Sequence, residues 1–328
     1  MYNVNLFYKK SNHINQYIYG FLLLQKQKII KINLINNSCP DITTQHILRA
    51  EVNGKKFIYD ANDGDHIDRG FFSLPDYNWC DVYYKRSFSP QLSEKFPKCQ
   101  PLGFNYDIKP VFSRWEEISV KCRRALGKDI IKHTDLEADP IVTDNPKLLF
   151  LTRLWDPDTV RKNHNGDAGI TDEYHKLNDF RLMVLDTIKE KFSSSAMFGL
   201  SDNEYTRKVA PDYILPPELT SRRKFIQSLK GYEICIATTG LHDSTGWRFG
   251  EYIASSRAII SDPLRYIPTG NYSHYLPFEN KKELIFSIEK LMNNRSLRLD
   301  LMLKNKKYYS EFLSPDKLIL NTILNVNH

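Results

Sequence analysis

No run of apolar residues in this sequence approaches the ~20 needed to span a bilayer; the longest, Tyr19 to Leu24, is far too short. The opening residues, Met-Tyr-Asn-Val-Asn-Leu-Phe-Tyr-Lys-Lys, lack the basic-then-apolar layout of a secretory signal. Cysteine is scarce. Cys39, Cys80, Cys99, Cys122 and Cys235 are scattered, with no Cys-x-x-Cys pair and no histidine at ligand spacing. That excludes a disulfide framework or a structural zinc site and predicts reduced thiols in a cytoplasmic protein. Internal repeats and low-complexity segments are missing. So is any dense Lys/Arg tract interleaved with aromatics, which argues against nucleic acid as a partner despite a net charge of +7. The positive excess suits an acidic partner or peripheral contact with an anionic membrane face, and equally suits ordinary solvated lysines.

What is present is a globular balance: 41% hydrophobic, 26% charged and 12% aromatic residues. A chain of 328 residues exceeds the usual length of one domain and predicts two. We place them at 1–140 and 141–328, with a polar, proline-containing linker around Asp135 to Asp144. In the first half, Val4 to Tyr8 and Ile29 to Leu34 read as strands flanking a helix from Gln16 to Gln27. Leu48, Ala50 and Val52 then alternate with polar neighbours, Asn53-Gly54 supplies a tight turn, and Lys56 to Tyr59 returns, so a hairpin is expected. It leads into an acidic loop carrying Asp63, Asp65 and His66. In the second half, apolar runs at Leu148 to Leu151, 196–198, Ile234 to Ala237, Ala258 to Ser261 and Tyr275 to Phe278 alternate with helical patterns at Leu177 to Phe192, Pro217 to Leu229 and Gly246 to Ser256. Strands alternating with helices predict a parallel sheet covered on both faces. The tail reads as helices, with a capping box at Asn280-Lys-Lys-Glu283 and a fresh start at Ser314-Pro315.

The informative stretch runs from Ile234 to Ser261. A buried strand ends at Ala237, a loop containing Gly240, His242, Asp243, Ser244 and Thr245 follows, and a helix opens near Gly246. In an open parallel sheet, ligands sit beyond the carboxyl ends of the strands, where helix N-termini expose unpaired N–H groups. The loop is therefore a candidate anion cradle. Arg248 in the first turn opposes the helix dipole unless an anion is bound, and it can add charge-assisted bonds to a diphosphate. Asp243 and Glu251 stand eight positions apart across this start. A carboxylate can accept two hydroxyl hydrogen bonds, which is the chemistry for holding a ribose or sugar diol. A helix-capping aspartate plus a solvated glutamate is the competing structural explanation.

Here the sequence resembles the two-acid signature of retaining GT-B glycosyltransferases: acid, seven residues, acid, the second opening Glu251-Tyr-Ile-Ala-Ser before a strand. The resemblance implies two Rossmann-like domains facing a cleft, a C-terminal helix crossing back, and a nucleoside diphosphate sugar as co-substrate. It implies Glu251 for the ribose and Asp243 for the donor sugar, although Asp243 is one methylene shorter than the family's usual glutamate. Leu149-Phe-Leu-Thr-Arg153-Leu-Trp155 is similar to the strand and loop that open the family's donor domain, which implies diphosphate binding by Arg153. The lysine that often follows is displaced, with Arg161 or Lys162 as substitutes. Asp81-Val-Tyr-Tyr-Lys85-Arg86-Ser87 and Pro101-Leu-Gly103-Phe-Asn105-Tyr106 look like segments of bacterial surface-polysaccharide glycosyltransferases.

The expectation is thus sugar transfer from a nucleotide sugar to a glycan or lipid-linked acceptor in cell-surface polysaccharide synthesis, without metal. Two alternatives stay open. Asp63-Gly-Asp65 is the arrangement by which metal-dependent GT-A transferases hold a divalent ion, and the same fold can serve as a non-catalytic nucleotide- or glycan-binding protein. His66 is a candidate acceptor base if configuration inverts, and His242 a candidate contact to the donor.

Overall fold

The computed structural model describes residues 1–42, 46–163 and 167–324, and the side chains of all of these but 161–163. Arg161 and Lys162, the substitutes proposed for a diphosphate-binding lysine, lie outside the described side chains. Strands β1 (Tyr2–Tyr8), β2 (Ile30–Asn36), β3 (Ile47–Val52), β4 (Lys55–Asp60), β5 (Val82–Lys85) and β6 (Cys99–Pro101) form one sheet in the order β2-β1-β3-β4-β5-β6. Strands β7 (Leu148–Thr152), β8 (Ala196–Leu200), β9 (Ile234–Ala237), β10 (Ala258–Ser261) and β11 (Leu276–Pro277) form a second, all-parallel sheet in the order β11-β10-β9-β7-β8. The helices of eight residues or more are α1 (Asn15–Lys26), α2 (Arg114–Ala125), α3 (Ala168–Lys191), α4 (Arg222–Leu229), α5 (Trp247–Ala254), α6 (Lys281–Asn293), α7 (Arg295–Tyr308) and α8 (Pro315–Leu324). None of the described helices is long and apolar enough to cross a membrane.

Local sequence explains most of this. Along β1 the buried side chains are Val4, Leu6 and Tyr8, the alternation of a strand with one covered face. All four residues of β9 and of β10 are buried, as central parallel strands require, so they read as unbroken apolar runs. The hairpin forms with Asn53 and Gly54 both at positive φ, and it makes β3 antiparallel to β1 and β4 in an otherwise parallel sheet. The helix expected over Pro217 to Leu229 is two pieces, because Ser221 is extended between Thr220 and Arg222. Helix α3 starts nine residues before its clearest apolar stripe, capped by Asp167, whose carboxylate accepts from Ile170 N at 3.0 Å.

Helix α8 returns to the domain that holds β1. Helix α8 packs across α1, and Gly20 makes the crossing possible: a Cβ there would fall onto the Pro315 carbonyl and within 2.6 Å of Ile319. Gln16 Nε2 donates to Leu313 O at 2.8 Å, and Tyr84 OH donates to Thr322 O at 2.9 Å. On the other side of the seam, Gly250 of α5 would set a Cβ 3.0 Å from Asn105 O of the first domain, while the Phe104 and Phe249 rings stack at 5.0 Å. Two Rossmann-like α/β domains, a cleft between them and a returning C-terminal helix make a GT-B fold.

Candidate active site in the interdomain cleft

The second sheet runs β8-β7-β9-β10-β11, so the chain leaves β7 toward one edge and later builds from β9 toward the other. The loops after β7 and β9 diverge at that switch point and leave a crevice. A cavity of about 380 Å³ lies there, within the range of small-ligand sites. Its walls include Thr152, Arg153 and Trp155 after β7, Gly240, Ser244 and Gly246 after β9, Trp247, Arg248 and Glu251 of α5, and His13, Asp63 and Arg86 from the first domain.

The wall holds five arginines, Arg86, Arg153, Arg181, Arg222 and Arg248, against two carboxylates, Asp63 and Glu251. Both acids are already engaged. Asp63 accepts from Arg86 Nη2 at 2.6 Å, and Glu251, fully buried, accepts from Arg222 and stands 3.4 Å from Arg248. Arg153 lies over the Trp155 ring at 3.7 Å and Arg248 over Phe225 at 3.3 Å. Burial lowers the proton affinity of Arg153, and the charge of Arg248 lowers it further. Arg181 is pulled down to about 9 by burial and then by Arg153. These guanidinium groups repel one another in a half-dry cleft, and a polyanion would relieve that cost.

Arg181 also ties the two loops of the switch point together. Its Nη1 donates to Arg153 O at 2.7 Å, Nε to Thr238 Oγ1 at 3.2 Å and Nη2 to Thr239 O at 3.2 Å. One turn earlier on α3, Asn178 clamps Trp155 by accepting from its N–H and donating to its carbonyl. Both residues sit in the buried stripe of α3 with Tyr174, Leu185 and Ile188. An arginine in a stripe that should be apolar was the sequence signal for this residue, and the apolar reading of the helix passed over it.

The acidic loop and the cradle meet across the cleft. Asp60 roots the loop, since its carboxylate is buried against Lys85 at 3.2 Å and accepts from Asn62 N at 2.8 Å. Arg86 then bridges Asp63 to the Thr245 carbonyl, 3.0 Å from Nη2, and Tyr266 OH donates to His242 O at 3.0 Å. Asp65 accepts from Ser89 Oγ at 2.5 Å. Each of the two aspartates proposed for metal binding therefore has a protein partner in this structure.

Of the residues singled out in the sequence, Arg153, Arg248, Glu251, Asp63, Gly240, Ser244 and Gly246 come together in the cavity wall. Thr245 contributes its carbonyl to Arg86. The others lie outside the cavity wall. Asp243 is exposed at positive φ and does not line the cavity; His242, also at positive φ, packs its ring on Phe71 at 4.4 Å. His66 is exposed and stands outside the cavity, whereas His13, which sequence reasoning missed, lines it. Only the folding of β1 against β3 brings His13 beside His46, with ring centroids 4.1 Å apart, and it meets Trp247 edge-on at 5.0 Å. His13 Nδ1 and Trp155 Nε1 are buried with no hydrogen-bond partner among the described residues.

Burial, followed by the neighbouring His46, lowers the His13 pKa to about 4, so the ring is neutral at pH 7. The unfolded chain binds the extra proton between about pH 6.5 and pH 4, so this group makes the fold less stable as pH falls through that window. With the ring partly solvated, the loss should be on the order of 1 kcal/mol. His13→Gln should flatten the fall in melting temperature between those pH values; parallel curves for the two proteins would contradict it.

No known family profile matches the chain, and no curated protein matches its sequence. Solved structures do. A mutant of TarM from S. aureus, in complex with Fondaparinux, alpha-GlcNAc-glycerol and UDP, is 12% identical, with 82% of this chain and 50% of TarM covered and a TM-score of 0.43. The chain thus spans about half the length of TarM. WaaG, a glycosyltransferase involved in lipopolysaccharide biosynthesis, is 11% identical over 98% of both chains with a TM-score of 0.40. HepE from Anabaena, in complex with UDP and glucose, is 10% identical over 80% of this chain and 70% of HepE, with a TM-score of 0.41. The sheet order, the switch-point cavity and the returning helix define the fold class independently of these distant likenesses.

Proposed function

We propose that this chain is a cytoplasmic glycosyltransferase that takes a sugar from a nucleoside diphosphate sugar and passes it to a glycan or lipid-linked acceptor in cell-surface polysaccharide synthesis. One observation carries the proposal: five arginines converge on a switch-point cavity whose two carboxylates are already paired. A diphosphate supplies the missing negative charge.

As the bond from the anomeric carbon to the diphosphate breaks, charge grows on the departing phosphate oxygens. Arg153 and Arg248 are placed to stabilise it, with the N–H groups that open α5 beside them. Arg181 fixes both loops that carry these groups, so little reorganisation is needed at the moment of reaction. Glu251 holds Arg222 and Arg248 in position and is the carboxylate best placed to accept a ribose hydroxyl. On the opposite wall, His13 and Asp63 would face the acceptor.

The arginines provide the positive charge that a divalent ion provides in GT-A enzymes, so transfer should not need metal. Incubation with a panel of UDP, GDP, CMP and dTDP sugars in excess EDTA is expected to release the free nucleotide from one of them. Loss of that activity in EDTA, restored by manganese or magnesium, would move the chemistry to Asp63 and Asp65. No transfer or hydrolysis with any donor, with or without metal, would leave a binding protein.

A further inference from the structure

A second cavity, also of about 380 Å³, opens beside β6, the outer strand of the first sheet, and α8. It shares no lining residue with the cavity in the cleft. Tyr84 and Gln100 line it from the sheet, Phe312 and Asn321 from the segment that returns to the first domain. The edge of the sheet is closed to a further strand. Tyr83 N donates to Lys98 O and Leu102 N to Lys85 O, so Cys99 and Pro101 are the residues that turn away from β5. Cys99 N donates back to Phe96 O at 2.9 Å, and proline has no N–H. Among the described residues the charged lining groups are Asp81 and Lys98, and the Lys98 ammonium already donates to Tyr77 O at 3.1 Å and to Cys80 O at 2.7 Å. A phosphate would meet one committed ammonium here, against five arginines in the cleft.

What this wall offers is amide, carboxylate and ring. Gln100 presents an exposed carboxamide. Asn321 Nδ2 donates to Glu311 O at 2.7 Å, with Oδ1 left as an acceptor, and Asp81 accepts from Lys56 N through Oδ2 at 2.8 Å, with its other oxygen left. Half-buried Phe312 stacks on Tyr308 at 5.3 Å, seated against Gly270, where a Cβ would come within 2.9 Å of the ring. We propose that this cavity binds a neutral sugar ring. Vicinal hydroxyls match side-chain amides and a carboxylate, which donate and accept in pairs, and the C–H face of a pyranose matches an aromatic wall. The ring is either one unit of a longer glycan or a free monosaccharide. The inference does not depend on sugar transfer in the cleft, and its test measures binding alone.

Saturation-transfer NMR on the full chain is run with glucose, galactose, mannose, rhamnose, N-acetylglucosamine and N-acetylgalactosamine, and with maltotriose and chitotriose. At least one of these is expected to bind, with a Kd on the order of 1 mM. A trimer that binds more tightly than its monomer assigns the cavity to a glycan chain, and equal affinity assigns it to a single sugar unit. Gln100→Ala with Asn321→Ala should weaken binding about tenfold or more. Gln100→Ala alone, at an exposed side chain, should show part of that loss at an unchanged melting temperature. Phe312→Leu keeps apolar packing on Tyr308 and should weaken binding severalfold by removing the aromatic face. Arg153→Met with Arg248→Met, in the cleft, should leave sugar binding as it is. No binding of any of these sugars, binding that survives the Gln100, Asn321 and Phe312 substitutions, or binding that the cleft variant abolishes overturns the proposal.

Discussion

Changing Arg153 and Arg248 together to methionine is expected to weaken nucleoside diphosphate binding by roughly a hundredfold or more, since each charge-assisted contact contributes about 1.5 to 3 kcal/mol. The same variant should melt no lower than the wild type. Among the described residues, no carboxylate accepts a hydrogen bond from Arg153, whose guanidinium rests on Trp155 and is disfavoured by burial and by Arg248. Arg248 lies on Phe225 and contributes only a 3.4 Å contact to Glu251, which keeps Arg222. Methionine preserves the apolar packing over both rings and removes the repulsion. Calorimetry with UDP or GDP and a thermal melt give the two readouts. Intact affinity with a large drop in melting temperature would make these arginines packing residues.

Glu251→Gln should cost about 3 kcal/mol of stability, the lower part of the range for breaking a buried pair. The Glu251 carboxylate is fully buried between Arg222 and Arg248, and Arg222 is further committed by donating to Asp107 O at 2.9 Å. The amide leaves Arg222 without its counter-charge. Donor affinity should fall as well, because the same residue orients Arg248 and faces the cavity. Adding Arg222→Met removes the orphaned charge and should recover much of the stability but not the affinity. An unchanged melting temperature together with unchanged donor affinity would take Glu251 out of both roles.

Much of this fold can be read locally. The alternation in β1, the Asn53-Gly54 turn and the unbroken apolar runs of β9 and β10 each write their structure into a few adjacent residues. The cradle is legible for the same reason, because Gly240, Ser244, Gly246, Arg248 and Glu251 lie within one loop and helix. What was not legible depends on distant parts of the chain. His13 reaches the cavity only when β1 pairs with β3, and Arg86 meets Thr245 from 159 residues away. Arg222 becomes a site residue only by pairing with Glu251. Asp243 read as a site residue from its spacing, but two successive positive φ values, at His242 and Asp243, set the exposed turn on which it sits. Helix α2 was hidden for another reason. Only Val120 of the helix is buried, so no core-facing stripe marks it, and its apolar Trp115 and Ile118 face solvent.

The most direct test of the account is a thermal melt of the wild-type chain with UDP, GDP, CMP and dTDP, their sugars, and the parent nucleosides. A ligand that binds the native state alone stabilises it by about 2.7 kcal/mol at a hundred times its Kd. The five-arginine cavity predicts that at least one nucleoside diphosphate or its sugar raises the melting temperature. Its nucleoside should not, salt should diminish the shift, and the Arg153→Met, Arg248→Met variant should lack it. A chain that melts at the same temperature with every nucleotide, or that responds equally to nucleoside and diphosphate, would contradict a diphosphate site in this cleft.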